Sequence, residues 1–246
     1  MSERERGRFL DGGFDVSVWA VLITCLATIP SFAAQSLATV SSPNNNHGYT
    51  QQSDLFGARE IYSSNLSEIP QWKDMLMRRA AEINEAQHVC TSPGDRDCIP
   101  EEWESLVEQI RGRDLREQIE IANDAMNQHP YIRTVKNWHR AMYWETPFQF
   151  LRYGGQCQDY AIAKYELLRA AGVPAELMRM VVLHDDISGI DHAVLVVYVD
   201  RQTLILDNQR PDIVPTRAVP YYHPYYSINE NGWWKHFGGQ AMAWMN

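Results

Sequence analysis

Cys157 stands directly after Gly154-Gly155-Gln156, at the head of a run whose Tyr160, Ala163, Leu167 and Ala171 recur with helical spacing. A thiol in that place meets the free N–H groups and the positive end of a helix dipole, which stabilise an anion and lower a thiol pKa. The same N–H groups can receive a developing oxyanion. A thiolate nucleophile needs a base, and the base needs an orienting acceptor. Two downstream residues have the right types. His192 opens the apolar, β-branched segment that ends at Val199, and Asp207 closes the next one, Thr203 to Leu206. With a turn at Asp200-Arg201-Gln202 the segments form a hairpin, and His192 and Asp207 fall roughly opposite each other at its open end. A carboxylate there holds an imidazole in one tautomer. Packing the Cys157 helix on this sheet would bring thiol to imidazole, the arrangement for acyl transfer.

Each residue alone has a quieter reading. A cysteine at a helix start is commonly a small core residue, a strand histidine is usually structural, and an aspartate at a strand end commonly accepts from a turn. Their joint placement is what points to catalysis. The other histidines fit less well. His184 lies with Asp185 in a polar segment running to Asp191; His88, His129 and His139 lie in the helical half; His223 and His236 lack an ordered partner in the pattern.

The elements that must position these residues read as follows. Trp72 to Val89 has helical spacing, through Trp72, Met75, Leu76, Ala80 and Ile83. Pro100 with Glu101-Glu102 starts a second helix with the stripe Trp103, Leu106, Val107 and Ile110; Gly112 interrupts it, and Leu115, Ile119, Ala122 and Met126 continue. Pro147 to Leu151 is a short helix or turn. Gly172 and Pro174 end the Cys157 helix. Ala175 to Leu183 is a strand, His184 to Asp191 a loop, and aromatic-rich loops follow Pro211. A helical N-terminal half packed on an antiparallel sheet is an α+β fold.

Composition bounds the rest. The 246 residues carry 31 Asp+Glu against 22 Lys+Arg, a net charge of -9, which argues against nucleic-acid binding. Val16 to Ile29 is a charge-free stretch followed by Pro30 and the small residues Ser31, Ala33 and Ala34. That reads as a secretory signal over residues 1–33, with an uncleaved anchor as the alternative. The flanking Arg4, Arg6 and Arg8 are offset by Glu3, Glu5, Asp11 and Asp15, against the usual positive start. Residues 34–54 read as a flexible tether and 55–246 as the folded domain. In an oxidising compartment Cys90 and Cys98, flanking a turn-rich loop, make a short disulfide, which leaves Cys157 as the odd thiol.

Trp144-Glu145-Thr146-Pro147, Phe150-Leu151 and the run Gly154-Gly155-Gln156-Cys157-Gln158-Asp159-Tyr160-Ala161-Ile162-Ala163-Lys164-Tyr165 resemble the bacterial transglutaminase-like cysteine proteinases. So do His129-Pro130-Tyr131-Ile132, Asp191-His192-Ala193-Val194-Leu195 and Leu206-Asp207-Asn208; the similarity runs from about Leu55 to Gln209. The resemblance implies a papain-like or transglutaminase-like fold, with Cys157 as nucleophile, His192 as acid and base and Asp207 as orienter. It places Trp144 beside the site, in a region that partners use. It implies a periplasmic protease that cuts a large surface adhesin near an Ala-Ala step to end biofilm attachment. It also implies an inner-membrane cyclic di-GMP receptor as partner. Transglutaminase or amidase chemistry on the same triad stays open, as does a silent receptor-binding module.

One departure matters. The family pattern Asp-Cys-Glu-Asp supports a calcium site, whereas Gln156 and Gln158 flank Cys157 here and leave only Asp159. Calcium affinity rises with ligand charge, so Ca2+ dependence is expected to be weak or absent and no cofactor to be required. Losing two negative charges beside Cys157 also favours its thiolate.

Overall fold

The computed structural model describes residues 55–89 and 99–238. The expected signal, the tether and the Cys90/Cys98 pair lie outside the described residues. In chain order the elements are β1 (Arg59–Ser63), α1 (Pro70–Val89), α2 (Ile99–Ile110), α3 (Leu115–Asn127), α4 (Thr134–Trp138), α5 (Pro147–Tyr153) and α6 (Cys157–Ala170). Then come β2 (Met178–Asp185), β3 (Ile190–Val199), β4 (Gln202–Leu206), β5 (Val214–Pro215), β6 (Tyr222–Asn229) and β7 (Gly232–Phe237). The strands form one antiparallel sheet in the order β1-β7-β6-β2-β3-β4-β5. The fold is α+β, as expected.

Three details correct the sequence reading. The helical half also supplies a strand, β1, which pairs with β7 at the edge of the sheet. His184 to Asp191 is no loop: β2 and β3 pair through His184–Asp191 and Asp185–Ile190, so only four residues turn between them. The aromatic stretch after Pro211 holds the β6–β7 hairpin. Pro224 hid it, because proline cannot donate to a ladder and argues against a central strand. The sheet absorbs it with a register shift, Val182 facing Tyr226 and Leu183 facing Pro224.

α6 is the hub. Every residue from Asp159 to Leu168 is buried, rather than one inner face, because β2 and β3 cover one side and α2, α3 and α5 the other. Trp72 of α1 packs edge-on against Tyr165 of α6, with ring centroids 5.4 Å apart. A second apolar cluster, with Val181, Leu183, Val194, Val196 and Ile205, holds the alternate residues of β2, β3 and β4. Along α1 the stripe is only half used: Trp72 and Met75 are buried, while Ala80 and Ile83 are exposed.

Candidate active site

The start of α6 is fixed by close crossings of the chain. Gly154 ends α5 at φ +66, and a Cβ there would run into the carbonyl of Pro130. A Cβ on Gly155 would lie 2.6 Å from the Asp159 Cβ. Tyr131 pairs with Gly155 in a single β-bridge, and Ile132 N donates to Gly155 O at 2.9 Å. The glycine pair thus lets the 130–132 segment lie against the turn that launches the helix. Asp159 caps it, accepting from Gln156 N at 2.8 Å. Cys157 is then the first helical residue, half-buried and unpaired, its thiol donating to Gln158 Oε1 at 3.6 Å.

The β3–β4 hairpin brings the imidazole. Asp200 and Arg201 both take positive φ, 48° and 64°, in a two-residue turn that sets Val199 opposite Gln202 and Leu195 opposite Leu206. Continued, that register sets His192 against Gln209 rather than Asp207. Asp207 therefore reaches His192 diagonally, and the two-residue offset keeps both on one face. His192 Nε2 lies 2.8 Å from Asp207 Oδ1, and both residues are buried. Asp207 Oδ1 also accepts from Gln209 N at 2.9 Å, and Oδ2 accepts from the Tyr222 hydroxyl at 2.7 Å. Gln209 Nε2 sits 3.4 Å from the other imidazole nitrogen, Nδ1.

The electrostatics couple these groups. Burial opposes a charged His192, but its hydrogen bonds to Asp207 and Cys157 and the charges of both outweigh burial and raise its pKa to about 9. Burial pushes the Asp207 carboxyl up, yet hydrogen bonds from His192, Gln209 and Tyr222 hold it below the usual range. Burial and the carboxylate raise the Tyr222 hydroxyl, which stays a donor. Burial, and after it the charge of Cys157, raise the hydroxyl pKa of Tyr131, whose side chain is half exposed.

The model of the family described as "Bacterial transglutaminase-like cysteine proteinase BTLCP" matches residues 84–241, a span that contains Cys157, His192 and Asp207. The chain belongs to this family. Among solved structures it is similar to Legionella pneumophila LapG in an EGTA-treated form: 28% identity, 63% of this chain and 86% of that chain covered, TM-score 0.56. A second Legionella pneumophila LapG structure gives 28% identity, coverage of 66% and 92%, and a TM-score of 0.55. The calcium-bound form of that protein gives 26% identity, coverage of 71% and 98%, and a TM-score of 0.53. No curated protein matches the chain.

Calcium is thus relevant to a LapG relative, but the donor set of this family member does not fit the ion. Asp159 Oδ1 accepts from Glu145 N at 2.8 Å, and Oδ2 accepts from Gln156 N at 2.8 Å and from Gln158 Nε2 at 3.0 Å. Three N–H donors already occupy that carboxylate. Gln158 turns its NH2 inward, donating also to Thr134 Oγ1 at 3.2 Å, where a cation would need an oxygen. Gln156 Oε1 accepts from Thr134 N at 2.6 Å. Among the described residues no group of three or more His, Cys, Asp or Glu is arranged to hold a metal.

Of the other expected site residues, Trp144 is buried at 7% exposure, its ring edge-on to Trp72 in the core, so it offers a partner little surface. The remaining histidines of the sheet have their own partners: His184 Nδ1 lies 3.1 Å from Asp191, His223 Nε2 2.7 Å from Asp186 and His236 Nε2 2.9 Å from Ser227. Tyr222 and Gln209 were not singled out for the site in sequence. Gln209 was legible in principle from the hairpin register, whereas Tyr222 arrives from β6 and has no local signal. Glu145 stands in the motif that carries the resemblance but was given no role there. It is buried, accepts from Trp138 Nε1 at 2.6 Å and Asn137 Nδ2 at 3.1 Å, and its Oε2 has no hydrogen-bond partner. Burial, opposed by those hydrogen bonds, raises its pKa.

Proposed function

We propose that this protein is a periplasmic cysteine endopeptidase with a Cys157–His192–Asp207 triad, cutting a large cell-surface adhesin near an Ala-Ala step to control biofilm attachment. The observation that carries this reading is the His192–Asp207 contact at 2.8 Å, coupled to the thiol at the head of α6. A His192 held in its protonated form beside the sulfur favours a thiolate–imidazolium pair. The sulfur attacks the scissile carbonyl carbon, and the carbonyl oxygen takes the negative charge. The first-turn N–H groups at Cys157 and Gln158 lack intrahelical acceptors by position and can receive that oxyanion. His192 then gives its proton to the leaving amine as the C–N bond breaks, leaving a thioester on Cys157. Water, deprotonated by His192, cleaves the thioester and restores the thiol. Asp207, itself held by Gln209 and Tyr222, keeps Nε2 occupied so that Nδ1 faces the chemistry.

The substrate and address proposed here rest on the resemblance carried by the motifs around Cys157, His192 and Asp207. A secretory leader fits the apolar stretch Val16 to Ile29, and a Cys90–Cys98 disulfide fits the same compartment. Among the described residues no helix is long and apolar enough to cross a membrane. A cyclic di-GMP receptor in the inner membrane would be the regulatory partner. The test is incubation of the purified chain with an adhesin fragment containing an Ala-Ala step, scored for cleavage against amine crosslinking. Cleavage that is lost in Cys157→Ala supports the protease. Crosslinking lost in the same variant would replace it with acyl transfer to amines, and unchanged fragment with an unreactive thiol would leave a binding module.

A further inference from the structure

Lys164 lies two helical turns below Cys157 on α6 and is fully buried. A buried ammonium is costly unless its surroundings compensate. Here Nζ donates to Asn123 Oδ1 of α3 at 2.8 Å. Asn123 in turn donates through Nδ2 to Pro211 O at 3.2 Å. One turn on, Asn127 Nδ2 donates to the backbone carbonyl of Asp207 at 2.9 Å and lies 3.5 Å from that of Arg210. The segment 207–211 leaves β4, has no ladder of its own and carries the carboxylate that orients His192. Its backbone is therefore tied to α3, and α3 is tied through Lys164 to the helix that bears the nucleophile.

We propose that Lys164 is a positioning residue for the site, fixing the 207–211 segment against α6 through Asn123 so that Asp207 meets His192. The proposal rests on the triad reading above. The charged groups acting on the amine are Asp207, after β4, and Asp124, on α3; burial, opposed by both, lowers its pKa to about 7.

The test needs no substrate. The His192 imidazole is titrated by NMR, and Cys157 alkylation by iodoacetamide is timed at pH 7, in the wild type, Lys164→Met, Asn123→Asp and Asp207→Asn. Methionine nearly matches the lysine stem and leaves no unpaired charge, which offsets the donor lost by Asn123 Oδ1, so Lys164→Met is expected to melt close to the wild-type temperature. Even so, its His192 midpoint is expected to fall by about half a pH unit or more and alkylation to slow roughly tenfold. Asn123→Asp keeps an acceptor for Lys164 but loses the tie to Pro211, and should shift the midpoint the same way by less. An unchanged midpoint and rate in Lys164→Met would show that the residue only fills space. A raised midpoint would show that it acts only as a charge. Either result overturns the proposal. If Lys164→Met fails to melt cooperatively, Asn123→Asp decides, and wild-type behaviour there also overturns it. An Asp207→Asn variant with an unmoved midpoint would instead sink the triad reading.

Discussion

At the scale of single residues, the site turns on how His192 keeps a proton while buried. Its pKa is raised to about 9 from an ordinary 6.5. A base whose folded pKa is raised stabilises the fold fully below its unfolded pKa and loses that contribution as pH rises through the folded value. Stability from this group should therefore decline between about pH 6.5 and pH 9. Asp207→Asn should flatten that decline, bring the imidazole midpoint back toward the ordinary range and cut turnover roughly 100- to 10,000-fold. Urea unfolding across pH, NMR titration and cleavage assays check the three parts. A second residue-scale prediction concerns calcium. Because Gln158 Nε2 already donates to Asp159, EGTA should leave activity and melting temperature unchanged. Abolished activity, restored by calcium alone, would contradict this. The double substitution Gln156→Asp with Gln158→Glu should create calcium-dependent melting, read by calorimetry.

At the scale of elements, the α5–α6 junction is the precision part. Thr146 caps α5 reciprocally with Gln149, and Asp159 caps α6 two residues after Cys157. Between them Gly154 takes φ +66 and ψ 176, a region open essentially to glycine. Gly154→Ala adds both that strain and a collision with Pro130, so it should destabilise by at least ~3 kcal/mol, measured by chemical denaturation. The surviving folded fraction should show slowed alkylation of Cys157, because the helix start moves with the turn. The cap by Asp159 came only with the structure; the glycine break and the position of Cys157 were legible in the sequence, since each is a local signal. Hairpin register was nearly so. A three-residue turn was read where two left-handed residues suffice, and Asp207 was placed roughly opposite His192 where the register sets it diagonal.

At the scale of the whole molecule, α6 is buried on every side yet carries Asp159, Lys164 and Glu166. Each needs a partner from another element. Glu166 meets Arg79 of α1 at 2.6 Å, and burial, opposed by that guanidinium, raises its pKa to about 7. Arg79→Met would strand a buried carboxylate. Discounted for the partial exposure of Arg79, the loss should be ~2–3 kcal/mol above pH 7. It should shrink toward pH 5, where Glu166 takes a proton. Thermal unfolding at the two pH values checks the sign.

The sequence by itself determined the candidate nucleophile Cys157, the helix that carries it, the hairpin that carries His192 and Asp207, and the α+β class. Those follow from spacing within one or two neighbouring elements, where chain geometry leaves few choices. Only the tertiary structure decided that β1, from the N-terminal side, adds to the edge of the sheet against β7, that Pro224 sits in a strand, and that Tyr222 of β6 donates to Asp207. It also decided that Trp144 faces the core and that Asn123 and Lys164 reach beneath the site. Those contacts join residues far apart in the chain, and burial, rather than any local pattern, selects their partners.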